Sequence, residues 1–167
     1  MFLRSRRNFL QKGFLGGSVL VFTQGELFGS VSPLETIATL FQDLLPDTKN
    51  KIGANENNAV HYITLILDHS RVSDAQKKFI RNGVKWLNEE ALLKHKLLYT
   101  KLSQTQRQEL LKDIAKTKWG ESFIFTMLGY GFEVLLGDPV YGINKNESGW
   151  KWLEHKPGLP RPKEPLL

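Results

Sequence analysis

The chain has 167 residues, a formal net charge of +6 and no cysteine. That length fits a single domain with a real core, and 41% hydrophobic against 24% charged residues is a globular balance rather than a disordered one. Without cysteine the chain carries no disulfide, no thiolate-held zinc or iron–sulfur cluster, and no CxxCH haem attachment.

Residues 1–30 hold Arg4, Arg6, Arg7 and Lys12 against Glu26 alone, so half the excess charge sits there. The rest is only mildly basic, which argues against a nucleic-acid binder with a basic stripe on a folded face. The basic start precedes an uncharged, glycine-rich apolar stretch at 13–22, the layout of an export signal. Ten residues of helix rise only about 15 Å, well short of the ~30 Å hydrocarbon core, so a membrane span is not expected. Arg6-Arg7-Asn8-Phe9-Leu10 resembles the twin-arginine signal, with Arg6, Arg7, Phe9 and Leu10 as the signal residues. Gln11 stands where that pattern prefers lysine, and Lys12 follows one place later. There is no clean A-x-A cleavage site; Phe28-Gly29-Ser30 is the nearest small-residue exit, and removal of the segment stays open. The alternative is a basic amphipathic helix.

From residue 31 the pattern is helical. Ser32-Pro33-Leu34-Glu35 reads as a capping box with proline at the first helical position. Leu34, Ile37, Ala38, Phe41, Leu44 and Leu45 follow at helical spacing until Pro46. Residues 47–58 are a polar connector. A second helix is expected over 58–69, with Ala59, Tyr62, Ile63, Ile66 and Leu67 on one side. Ser73-Asp74-Ala75-Gln76 opens a longer helix with Phe79, Ile80, Gly83, Trp86, Leu87 and Ala91 inward. It either continues through 92–102 or breaks near Lys94-His95. Ser103-Gln104-Thr105-Gln106 caps a fourth helix carrying Leu110, Leu111, Ile114 and Ala115. A fifth is expected over 121–136, ended by Gly137-Asp138-Pro139. Phe123, Ile124, Met127, Leu128 and Leu135 should be buried in it, with Trp119 and the 123–132 phenylalanine cluster in the core. The fold class is therefore all-α, a compact bundle of about five helices. Its organisation is a signal segment at 1–30, a helical domain at 31–137 and an irregular tail at 138–167. The tail holds five of the seven prolines together with Tyr141, Trp150 and Trp152.

Chemistry is sparse. His61 and His69 are eight residues apart, roughly 80° out of register on a helix, which is poor ligand spacing. His95 and His155 have no partner motif, and no G-x-S-x-G elbow supports a serine nucleophile. Gly129-Tyr130-Gly131 begins a dinucleotide fingerprint, but Val134 stands at the third glycine position and no strand precedes it. Gly83, Gly129 and Gly131 are better explained by close helix packing. Trp150 and Trp152 would face the same way in an extended tail, laid on the bundle or offered to a partner.

Several segments carry a family resemblance. They are Leu44-Leu45-Pro46, Gly83-Val84-Lys85-Trp86-Leu87, Ala115-Lys116-Thr117-Lys118-Trp119-Gly120-Glu121-Ser122, Leu136-Gly137-Asp138-Pro139-Val140-Tyr141-Gly142, Asn144-Lys145-Asn146, Gly149-Trp150-Lys151-Trp152-Leu153 and His155-Lys156-Pro157-Gly158-Leu159-Pro160-Arg161-Pro162. Together with the twin-arginine start, the series resembles the gluconate 2-dehydrogenase subunit 3 family. Ile143 departs from it, standing where relatives often carry a second glycine. The resemblance implies a small, cofactor-free, non-catalytic subunit of a periplasmic oxidoreductase complex. FAD would sit on a large catalytic partner of the glucose–methanol–choline type, and haem c on a multihaem cytochrome subunit. The small subunit would bind the large one, support its maturation and supply the signal read by the twin-arginine translocase. Membrane contact would be indirect, through the complex. Gluconate, fructose, glucose and related polyols are all open as substrates. On this reading the tail is the docking element, with Tyr141, Trp150, Trp152, Pro157, Pro160 and Arg161 as partner-binding residues. The alternative function is a stand-alone exported helical protein that binds a small ligand or a metal.

Overall fold

The computed structural model describes residues 32–49 and 53–165. The signal-like segment, with Arg6, Arg7, Phe9 and Leu10, lies outside the described residues. The chain from Ser32 onward clusters as one compact unit that includes the tail. Among the described residues there are six α-helices and no strand: α1 (Pro33–Leu44), α2 (Ala59–Asp68), α3 (Asp74–His95), α4 (Gln104–Ile114), α5 (Lys118–Leu136) and α6 (Ser148–Trp152). The all-α bundle is borne out, with five main helices and a short sixth in the tail. None of the described helices is long and apolar enough to cross a membrane.

Local capping explains most of the boundaries. The Ser73 and Ser103 side chains accept the N–H groups of Gln76 and Gln106, and only at Ser103 does the N3 glutamine reach back to complete the box. At Ser32 the hydroxyl takes the Leu34 N–H, a simple cap with Pro33 behind it. α5 begins three residues before the expected Glu121. The Thr117 hydroxyl accepts the Gly120 N–H, which draws Lys118, Trp119 and Gly120 into the first turn. The end of α3, open in the sequence, falls at His95, where Lys96 turns left-handed. What fixes it is tertiary. Asn88 Oδ1 accepts the Tyr99 N–H at 3.1 Å, and the Tyr99 hydroxyl donates to Asp43 Oδ2 at 2.6 Å. These bonds pull the chain back across α1 in a 3-10 turn at Tyr99–Lys101.

The same carboxylate receives Arg107. Nε donates to Oδ2 at 2.7 Å and Nη2 to Oδ1 at 3.1 Å, while Nη1 reaches the Leu102 carbonyl. The Asp43 side chain is 1% exposed and that of Arg107 15%. A buried charge is tolerable only when paired and hydrogen-bonded, and this carboxylate has three donors from two elements. It locks α1 to α4. Burial and the same carboxylate push the Tyr99 hydroxyl's pKa up, so it stays protonated and donates.

α5 is the central helix and packs on all five others. Phe123, Met127 and Val134 face the bundle in one cluster with Phe41, Ile63, Ile80 and Leu110, among others, and Leu135 is buried as well. Gly83 has no room for a side chain, because a Cβ would overlap the Phe123 ring, and Gly131 is held the same way by Leu45. Gly129 departs from the close-packing expectation, since nothing lies within 4 Å of where its Cβ would be. The phenylalanines of α5 divide as well. Phe123 is buried, but Phe125 and Phe132 are 78% and 48% exposed and lie on the opposite side of the helix. An apolar run without charges does not reveal which side meets the core, and this one is apolar on both.

Candidate partner-docking surface

The tail is held on the bundle by its own motif residues. The Asp138 carboxylate accepts the Val140 N–H at 3.0 Å, starting a 3-10 turn at Pro139–Tyr141 with proline in its first turn. Gly142 then takes φ +74°, which a side chain would strain. Asn144 follows, fully buried. Its backbone N–H donates to the Val134 carbonyl, its Nδ2 donates to the Gly137 carbonyl, and its Oδ1 accepts the Gly149 N–H. Asn57, also fully buried, reaches over from the connector before α2. Its Oδ1 accepts the Lys145 N–H at 2.7 Å and the Ser148 hydroxyl at 3.1 Å. Two buried amides thus satisfy the backbone of an irregular segment that no ladder serves.

Trp150 closes the arrangement. It is 6% exposed, and its indole N–H donates to the Leu136 carbonyl at 2.6 Å, the open end of α5. Gly149 beside it lies against the Leu135 carbonyl with no space for a Cβ. The Arg161 guanidinium sits 4.8 Å above the Trp150 ring. It donates to Glu147 at 2.7 Å and to Asp138 at 3.2 and 3.4 Å. The Val140 N–H, and after it Arg161, hold the Asp138 carboxyl below its ordinary pKa.

The six residues expected to bind a partner therefore differ in placement. Trp150 lies on the chain's own bundle. Arg161 and Tyr141 are half-buried, Pro157 is half-buried, and Pro160 and Trp152 are exposed, Trp152 at 52%. The expectation that Trp150 and Trp152 share one side does not hold. The segment is a short helix, not an extended strand, so residues two apart diverge by about 200°. Sequence reasoning missed Asn57 and Asn144. Asn57 lay in what read as a featureless polar connector, and its role exists only once residues about ninety positions apart in the chain meet.

His61 and His69, judged poor co-ligands, both border one open cavity of ≈ 400 Å³, along with Tyr62, Ile66 and Tyr141. Among the described residues no three histidine or carboxylate groups are placed to hold a metal. The Tyr62 hydroxyl points away to Glu133, donating at 2.7 Å, and burial raises its pKa.

Fold and site together define a small helical protein built to hold a clasped tail, with an apolar helix face left open. The family model for gluconate 2-dehydrogenase subunit 3 matches residues 33–158. The chain belongs to that family, and membership implies a multi-subunit dehydrogenase complex. Among curated proteins and solved structures, nothing matches the chain.

Proposed function

We propose that this chain is the small accessory subunit of a periplasmic, membrane-associated dehydrogenase complex of the gluconate 2-dehydrogenase type. It binds the large FAD-dependent catalytic subunit, supports its maturation and carries the twin-arginine signal that exports both. FAD and haem c belong to the flavoprotein and cytochrome partners, and this chain performs no redox step. The observation that carries the reading is the family match, which spans the whole bundle and most of the clasped tail. The twin-arginine pattern Arg6-Arg7-x-Phe9-Leu10 supports the export half.

The test is replacement of Arg6 and Arg7 by lysine with the flavoprotein co-expressed. Both proteins should then stay in the cytoplasm and be found together there. Normal export of the flavoprotein would refute the shared signal. A second reading, a stand-alone exported ligand-binding protein, draws on the cavity bordered by His61, His69 and Tyr141. It predicts a different result in the same experiment: no flavoprotein co-purifies with the chain in either compartment.

A further inference from the structure

We infer that the outer face of α5 is a docking stripe, and that its occupant is a concave apolar groove on the catalytic subunit of the complex. The inference rests on the proposed function, because it requires that partner. Steps of 100° per residue bring Phe125, Gly129 and Phe132 within about 60° of arc. The two rings are 78% and 48% exposed. Between them, Gly129 has open space where a Cβ would stand. No charged residue occurs from 122 to 132, while the other side of the same helix buries Phe123, Met127, Gly131 and Val134. An uncharged helical stretch that is apolar on opposite sides is ordinarily covered on both, and the bundle leaves the Phe125 and Phe132 rings exposed.

Gly129 sharpens the point. Gly83 and Gly131 are small because a neighbour's side chain fills their place. Gly129 sits mid-helix, where glycine is disfavoured relative to alanine, and no described atom uses the gap. A notch between two exposed rings admits the close approach of another molecule's surface.

Area and shape select the occupant. An aromatic side chain carries at most ~250 Å², and with the two rings 78% and 48% exposed two copies meeting ring to ring would bury at most about 630 Å², well under the ~1,200 Å² of a small stable interface. A groove adds the helix flanks to the rings, and helix-in-groove recognition reads anchors one and two turns apart, the spacing of 125, 129 and 132. The stripe is therefore the anchor of a wider contact with a larger, concave partner.

The test uses the full chain co-expressed with the flavoprotein subunit, tagged on the flavoprotein. The variants are Phe125→Ser with Phe132→Ser, and separately Gly129→Gln. Leu93→Ser, an exposed apolar position on α3, is the control. Wild type and the control should co-purify with the flavoprotein. The stripe variants should lose at least about 30-fold in affinity, the size of a hot-spot loss, with melting temperatures lowered by no more than about 5 °C. Stripe variants that bind as tightly as wild type would overturn the stripe and leave the complex standing. Failure of the wild type itself to associate would overturn the accessory-subunit reading and, with it, the partner named here. A wild-type homodimer that the stripe variants dissolve would show that the groove is the wrong occupant.

Discussion

Replacing Trp150 by alanine should destabilise the whole domain, and the size of the loss can be worked from its surroundings. A tryptophan buries about 200 Å². At ~25 cal/mol per Å² that is ~5 kcal/mol as an upper bound, and a compact unfolded chain reduces it by 10–40%, to ~3–4.5 kcal/mol. The indole N–H bond to the Leu136 carbonyl adds about 1 kcal/mol. The expected loss is therefore about 4–5.5 kcal/mol, a large part of the ~5–15 kcal/mol that holds a typical domain. Trp152→Ala, at a half-exposed position two residues away, should cost under about 1 kcal/mol. Urea unfolding followed by far-UV circular dichroism measures both. If the tail is part of the cooperative unit, the Trp150 variant unfolds in one transition shifted to lower urea. A loss below about 1 kcal/mol, or equal losses for the two variants, would refute the clasp. So would a separate early transition confined to the tail.

Two further outcomes follow from charged contacts. Asp43→Ala should cost about 3 kcal/mol, the low end for breaking a buried pair because Arg107 keeps a partly exposed edge; a thermal melt within 2 °C of wild type would contradict this. Asp138 and Asp113 both have carboxyl pKa values depressed in the folded state, Asp113 to about 2 through hydrogen bonds from Lys94 and Lys116. Their contribution is therefore complete above the unfolded carboxylate range near ~4 and is lost as pH falls through the folded values. Stability should fall between about pH 4 and pH 2, and Asp138→Asn, which keeps an acceptor for the Val140 N–H, should flatten that slope. An unchanged slope in equilibrium unfolding across that range would show that the Asp138 pair carries none of it.

What was legible in the sequence was what is decided locally. Ser73 and Ser103 announce their helices because a hydroxyl three residues before an N–H is a complete device in itself. The start of α5 lies earlier than the apolar run indicates because the Thr117 hydroxyl caps it from outside that run. The end of α3 stayed open because it depends on Asn88, Tyr99 and Asp43 meeting across three elements, and no sequence window contains that encounter. The sequence pattern points Phe125 and Phe132 to the core, and they lie outside it, for a related reason. Helical periodicity finds a face by contrast with polar residues, and residues 122–132 offer little, carrying no charge and only Ser122 and Thr126 besides a tyrosine hydroxyl.

The tail shows how a recognisable motif and a working surface can be different things. The tail residues on which the resemblance rests include Gly137, Asp138, Gly142, Asn144, Gly149, Trp150 and Arg161. In the folded chain each closes a hydrogen bond, fills a tight contact or makes a turn within the same molecule. Each of these roles is complete within the chain, without any partner. Trp150 in particular cannot be offered outward while its indole holds the end of α5. Phe125, Phe132, Trp152 and Leu153 are among the large apolar side chains that the bundle leaves exposed, and none of the hydrogen bonds that seat the tail through Asn57, Asn144 or Trp150 runs through them. A side chain that serves the fold is costly to change even when alone. Phe125, exposed and bordered by an unused glycine, should matter only when something else is bound, and that difference separates the clasp from the docking stripe.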